Sequence, residues 1–202
     1  MLKLYGSARS RGLRSLWMLG ELGIPYEHKD YLPRSAETKT PEYLALNPNA
    51  RVPTIDDDGF VLSESMAINF YLAKKHGSKL FPTDPKAEAF TLQWMLWETD
   101  RLDRQLVNYV NHSSGLPAGE RKADVAAAAW AEVVPAFDVL EGVLAKRQWL
   151  VGNEFSLADL NVAAALYRAF AVDTAKWPKL TDWLKRCWDR PAAKKARAMR
   201  EQ

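Results

Sequence analysis

The stretch that most limits what this chain can fold into is Asn47-Pro48-Asn49-Ala50-Arg51-Val52-Pro53-Thr54-Ile55, followed after a turn by Val61-Leu62-Ser63-Glu64-Ser65-Met66-Ala67-Ile68. Val52 to Ile55 is β-prone, Asp57-Asp58-Gly59 is turn-prone and Phe60 to Leu62 is a second apolar run, so the stretch predicts loop, strand, turn, strand and helix start. Pro53 lacks an N–H and fits the head of the first strand only on an edge, at a bulge or as a cis peptide. Val52 would then offer its own N–H and C=O to something extended. The second strand runs into Ser63-Glu64-Ser65 ahead of helix-period residues, where backbone donors and the positive end of a helix dipole predict an anion site.

The chain before this stretch supplies the other half of a small α/β unit. Leu2-Lys3-Leu4-Tyr5 alternates like a strand, and the small-polar loop Gly6 to Gly12 precedes apolar residues Leu13, Leu16, Trp17 and Gly20 at helical spacing. Gly23 and Pro25 stop that helix. Tyr26 to Tyr31 reads as a second strand, and Thr40 and Pro41 as the cap and first residue of a short helix. With a helix over Met66 to Lys75, the order is βαβαββα. A βαβ crossover demands parallel neighbours and the Asp57-Asp58-Gly59 hairpin antiparallel ones, so the sheet should be mixed.

Beyond Leu80 the pattern changes. Phe81-Pro82-Thr83-Asp84-Pro85 is a two-proline connector, after which strand signals nearly vanish and amphipathic helices are expected over about 85–111, 120–146, 156–171, 177–189 and 192–201. The expected division is residues 1–79 as an α/β domain, 80–86 as linker and 87–202 as an all-α bundle. Ser156-Leu157-Ala158-Asp159 reads as a variant capping box with a structural role.

Composition closes off several functions. The balance of 28 basic and 25 acidic residues leaves +3, too little and too dispersed for nucleic acid or an anionic membrane. The one local excess, Lys194 to Arg200, reads as the solvated face of a last helix. A single cysteine excludes an internal disulfide framework and fits a reducing compartment. No apolar run approaches about 18 residues, and Met1 leads directly into a strand, so a cytoplasmic location is expected. His28, His76 and His112 show no metal-ligand spacing. No GxSxG, Walker or GxGxxG signature is present.

The Arg-Val-Pro hairpin followed by Ser-Glu-Ser-Met-Ala-Ile at a helix start resembles the glutathione-binding half of cytosolic glutathione transferases, and the likeness extends over nearly the whole chain. It implies a thioredoxin-like N-terminal domain and a helical C-terminal domain, with the site in the cleft between them. By position, it implies that Val52 pairs with the cysteinyl backbone of glutathione beside a cis-Pro53, that Glu64 and Ser65 take the γ-glutamyl end, and that Arg51 lies near the glycyl carboxylate. Glutathione as co-substrate, no metal, a small-molecule electrophile and a homodimer are further implications.

Such an enzyme must hold a thiol as thiolate. From a free value near 8.5, that requires a shift of roughly two units, or about 2.7 kcal/mol. A hydroxyl at a helix N-terminus can contribute, and the loop before the first helix offers Ser7 and Ser10 with Arg9 and Arg11 beside them. Ser10 is the favoured donor, because it lies nearest the helix start. Ser7 and Tyr5 are the alternatives, and a purely structural reading has both serines only capping the helix. Trp94, Trp97, Arg101 and Tyr109 form an aromatic and basic stripe whose first meaning is packing. The resemblance implies an electrophile-facing role for Trp97 and Arg101. A glutathione-dependent isomerase or peroxidase, or a non-catalytic binding module on the same scaffold, are the alternative functions.

Overall fold

The computed structural model describes residues 1–202 and divides them into two compact units, Met1–Phe81 with Asp189–Gln202, and Pro82–Trp188. In the first, β1 (Leu2–Tyr5), α1 (Gly12–Leu22), β2 (Glu27–Lys29), α2 (Pro41–Leu46), β3 (Thr54–Asp57), β4 (Phe60–Ser63) and α3 (Ser65–Lys75) follow the βαβαββα order that the sequence predicts. The sheet order is β2-β1-β3-β4, with β1 parallel to β2 and antiparallel to β3. β4 returns antiparallel to β3 across the Asp58-Gly59 turn. Leu4 and Ile55 sit opposite each other in the register and are fully buried at the centre of this sheet.

Local chemistry sets the element ends. Gly23 closes α1 in the left-handed region, its N–H donating to the Leu19 carbonyl at 3.0 Å, a conformation that costs glycine nothing. Thr40 Oγ1 accepts from the Tyr43 N–H and Pro41 opens α2. β3 starts at Thr54, later than the β-prone run, because Pro53 has no N–H to give the ladder; the Val52–Pro53 bond is cis.

The sequence assigns 87–202 to one helical domain, and here the structure differs. Its last helix, α9 (Pro191–Glu201), packs on α1 in the first unit. Small residues permit this: a Cβ on Gly20 would stand 3.1 Å from the Ala192 Cβ, and Ala193 and Ala196 are buried. Arg190 adds two 2.7 Å bonds to the Glu21 carboxylate, which also accepts from the Trp17 indole at 2.9 Å. Covered on this further side, α1 is buried at every residue from Gly12 to Leu19.

The second unit holds α4 (Pro85–Glu98), α5 (Arg104–Val110), α6 (Ala123–Leu144), α7 (Leu157–Ala165) and α8 (Pro178–Trp188). The helix expected over 85–111 is interrupted by a wider π-type turn at Thr99–Asp103 and runs out into another at Asn111–Gly115. Trp130, Phe137 and Trp177 meet edge-on in the core of this unit. Ser156 and Asp159 form the anticipated capping box, and the buried Asp159 carboxylate also accepts from the Leu150 N–H and the Trp183 indole. Burial pushes its carboxyl above the usual range, against the pull of these donors. No helix is long and apolar enough to cross a membrane.

Asp57, nearly buried at the end of β3, accepts from the Tyr71 hydroxyl at 2.7 Å and from the Lys75 ammonium, tying the sheet to α3. The Lys75 bond holds its carboxyl below the ordinary aspartate range while burial opposes. A depressed folded value stabilises the protein above the unfolded value of about 3.9 and loses that contribution as pH falls toward the folded one. Asp57→Asn should therefore destabilise the protein at neutral pH. In urea titrations the gap between the two proteins should close as pH drops below about 4, and a gap independent of pH would contradict the assignment.

Candidate functional site

Within the first unit, most of the sequence-assigned residues lie on three backbone segments: the turn from Gly6 to Gly12, the bend from Asn47 to Thr54, and the start of α3. Gly6 brings the first two together. Its φ is 145°, and a Cβ there would stand 3.1 Å from the Pro53 Cα and 3.3 Å from the Val52 Cβ, so only glycine allows this approach. Its N–H donates to the Lys29 carbonyl and its carbonyl bonds His28 Nε2, both at 2.9 Å.

The bend is shaped by bonds to a single carbonyl. The Tyr43 hydroxyl and Asn47 Nδ2 both donate to the Arg51 oxygen, and Asn47 also reaches Thr54 Oγ1 at 3.1 Å. With its carbonyl so held, Arg51 leaves its side chain exposed, and Val52 remains half-buried ahead of the buried Pro53.

In the Gly6 to Gly12 turn, the Ser10 hydroxyl donates to the Ser7 carbonyl at 2.7 Å and accepts from the Gly12 N–H at 2.9 Å. Ser7 Oγ accepts from the Arg9 N–H at 3.1 Å, and Ser7 is only 2% exposed whereas Ser10 is half-buried. Both hydroxyls thus serve the turn, but only Ser10 combines a helix-starting position with access. Tyr5 packs edge-on against Tyr31 and Tyr43 at 5.6 and 5.8 Å, as expected of a strand residue beside the sheet. Gly12 leaves no room for a side chain, since a Cβ would stand 2.7 Å from the Ser7 oxygen and 3.1 Å from Ser10 Oγ.

At the start of α3, exposed Glu64 has φ 69° and ψ 113°. A non-glycine residue held there costs on the order of 1–3 kcal/mol and persists only where the surroundings over-determine it. No side chain caps this helix, and a helix N-terminus is a place where backbone N–H groups and the dipole favour an anion. Ser65 is 4% exposed, and its hydroxyl accepts from Arg14 Nη1 at 3.2 Å. Asn69 Nδ2 in turn donates to the Arg14 carbonyl at 3.2 Å. A buried guanidinium beside an uncapped helix N-terminus creates positive potential suited to a carboxylate. Sequence reasoning missed Arg14. Arg14 stands off the stripe of Leu13, Leu16, Trp17 and Gly20, so helical spacing gives no signal of its burial.

The structure separates the two residues assigned to the electrophile. Trp97 lines an apolar groove of about 300 Å³ in the second unit with Phe90, Gln93, Trp94, Val139, Val143 and Arg147. Arg101 is exposed, pairs with Asp100 at 2.9 Å and does not border that groove. Tyr109 stacks on Trp130 at 4.4 Å as a packing residue. Cys187 is buried. No three His, Cys, Asp or Glu side chains converge as a metal-binding group.

Two family models match the chain, glutathione S-transferase N-terminal domain over residues 1–74 and glutathione S-transferase C-terminal domain over 100–191. The chain belongs to the glutathione S-transferase family. It is 31% identical to glutathione S-transferase GstB of Escherichia coli K12, covering 96% of this chain and 97% of that protein. It is 33% identical to glutathione S-transferase hmp2 of Hypomyces subiculosus over 91% of each. Among solved structures, the theta class glutathione S-transferase of Xanthomonas axonopodis pv. citri, crystallised with glutathione bound, superposes with a TM-score of 0.90 at 29% identity over 96% of both chains.

In this transferase the Gly12 contacts give a direct test of the turn. Gly12→Ala should displace the Ser7 carbonyl and the Ser10 hydroxyl together and cut turnover about ten- to a hundredfold, the scale of a small misplacement at a reacting centre. Steady-state kinetics check this, and wild-type turnover in the variant would show that the turn's geometry does not matter.

Proposed function

We propose that Ser10 activates the thiol of glutathione for attack on small hydrophobic electrophiles, while Arg51, Val52, Pro53, Glu64, Ser65 and Arg14 hold the tripeptide. The observation that carries this reading is the Ser10 hydroxyl, half-buried at the start of α1 and already polarised by the Gly12 N–H. The Val52 backbone takes the cysteinyl peptide groups. The uncapped start of α3, with Ser65 and the Arg14 charge behind it, takes the γ-glutamyl carboxylate, and exposed Arg51 takes the glycyl carboxylate.

The thiol proton leaves to solvent, and the Ser10 hydroxyl turns from the Ser7 carbonyl to donate to the sulfur. A charged sulfur competes well with a neutral carbonyl, because hydrogen bonds to an ionised acceptor are about twice as strong. Ser10 itself keeps its proton. The thiolate then forms the C–S bond as a leaving group departs with its electron pair, or as an activated double bond takes a proton from water. Since the bond to sulfur strengthens only after deprotonation, it lowers the thiol pKa more than it tightens glutathione binding.

Ser10→Ala should raise the apparent pKa of the bound thiol and lower turnover, with glutathione affinity nearly unchanged. Ultraviolet titration of the thiolate, isothermal calorimetry and assays on a panel of electrophiles with and without glutathione separate these quantities. A shift produced by Ser7→Ala and absent from Ser10→Ala would transfer the role to Ser7.

A homodimer is the second element of the reading. In the second unit Phe90 and Leu96 are 54% and 71% exposed, and Val139 and Leu92 are exposed with them. The family resemblance implies a homodimer, and Leu96, the most exposed of these side chains, offers it an apolar contact. Sedimentation equilibrium should give twice the chain mass, and Leu96→Glu should shift it toward one chain. A monomer in the wild type would remove the proposal.

A further inference from the structure

We infer that Arg200, on the last helix, is a positioning residue for thiol activation: its guanidinium clamps the turn that carries Ser10. The inference rests on the reading of Ser10 given above. Arg200 Nη1 donates to the Ala8 carbonyl at 2.8 Å. Ala8 lies between Ser7 and the Arg9 N–H that donates to Ser7 Oγ, and Ser7 supplies the carbonyl that accepts both the N–H and the hydroxyl of Ser10. The Arg200 bond therefore enters the same small network from behind. A charged donor on the Ala8 carbonyl polarises the Ala8–Arg9 peptide and strengthens the N–H bond it gives to Ser7.

The placement of α9 makes this tie firm. The helix runs antiparallel to α1, and the two are of equal length, 11 residues each. At one end Arg190 grips Glu21 through two 2.7 Å bonds, and at the other Arg200 reaches the loop ahead of α1. Between them Ala192 meets Gly20, and Ala193 and Ala196 are buried. Helix α9 thus spans α1 from its last turn to the residues before its first, and delivers a positive charge to the turn where the thiolate forms. A cation near a thiol favours its ionised form.

The two ends of α9 give the experiment its control. Arg200→Met should raise the apparent pKa of bound glutathione by about half a unit to one unit, a three- to tenfold loss of thiolate at a pH below it. Turnover should fall in proportion near neutrality and recover at high pH, with glutathione affinity within about twofold. Arg200→Lys, which keeps the charge, should recover part of the shift. Arg190→Met should lower the melting temperature through loss of the Glu21 pair and leave the thiol pKa alone. An unmoved pKa in Arg200→Met overturns the inference, and so does an equal shift in Arg190→Met, which would make helix docking the cause. If wild-type glutathione shows no depressed thiol pKa, the Ser10 reading fails and this one with it. A depressed thiol pKa in the wild type that Arg200→Met leaves unmoved overturns only the role of Arg200.

Discussion

The first unit depends on the burial of α1 on every side from Gly12 to Leu19. A surface helix shows an apolar stripe and a solvated face, but from Gly12 to Leu19 this one has no solvated face. Its neighbours impose the residue types. Small residues at Gly20 and Ala192 let α9 close over one side, and Arg14, which cannot reach water, must spend its guanidinium on partners such as Ser65. A buried charge is tolerable only with polar partners; Ser65 meets part of this guanidinium, while Nε is left without a hydrogen bond. Here that requirement links the start of α1 to the start of α3 and brings positive charge to the place where a helix N-terminus already attracts an anion.

The same economy shapes the Gly6 to Gly12 turn. A buried loop must satisfy its own polar groups, and in this one Ser7 and Ser10 do so by bonding to neighbouring backbone. The structural and catalytic readings of Ser10 are therefore compatible. The Gly12 N–H that holds the hydroxyl also makes it a better donor, and the Ser7 carbonyl is the partner it gives up for a sulfur in the proposed mechanism.

Much of this was legible in the sequence where a local rule decided the outcome. Gly23 as helix stop, Thr40 and Pro41 as helix start, the Ser156 and Asp159 box and the mixed sheet all follow from chemistry within a few residues. The Val52–Pro53 bend and the Glu64-Ser65 helix start could be located in the same way. What escaped depends on contacts distant in the chain. Arg14 looks like an ordinary surface arginine until Ser65 is placed beside it. In the basic run from Lys194 to Arg200, Lys194 and Lys195 are exposed as read, but nothing near it in sequence reveals that Gly20 offers a groove to the small face of the helix or that Ala8 presents a carbonyl to Arg200. The π-type turn at Thr99–Asp103 was equally hidden, since a widened turn changes no residue type and only redirects the side chains after it.

The return of α9 to the first unit also bears on how the protein is made. Residues 189–202 complete a unit whose other members, 1–81, leave the ribosome before the whole of the second unit. Domains ordinarily fold as they emerge, the N-terminal one first. Here the nascent sheet and α1 must wait, with one flank of the helix uncovered, until the final segment of the unit is released. The N-terminal unit is the first to begin and among the last to finish, and a nascent chain stalled just after α8 would present that bare flank to chaperones.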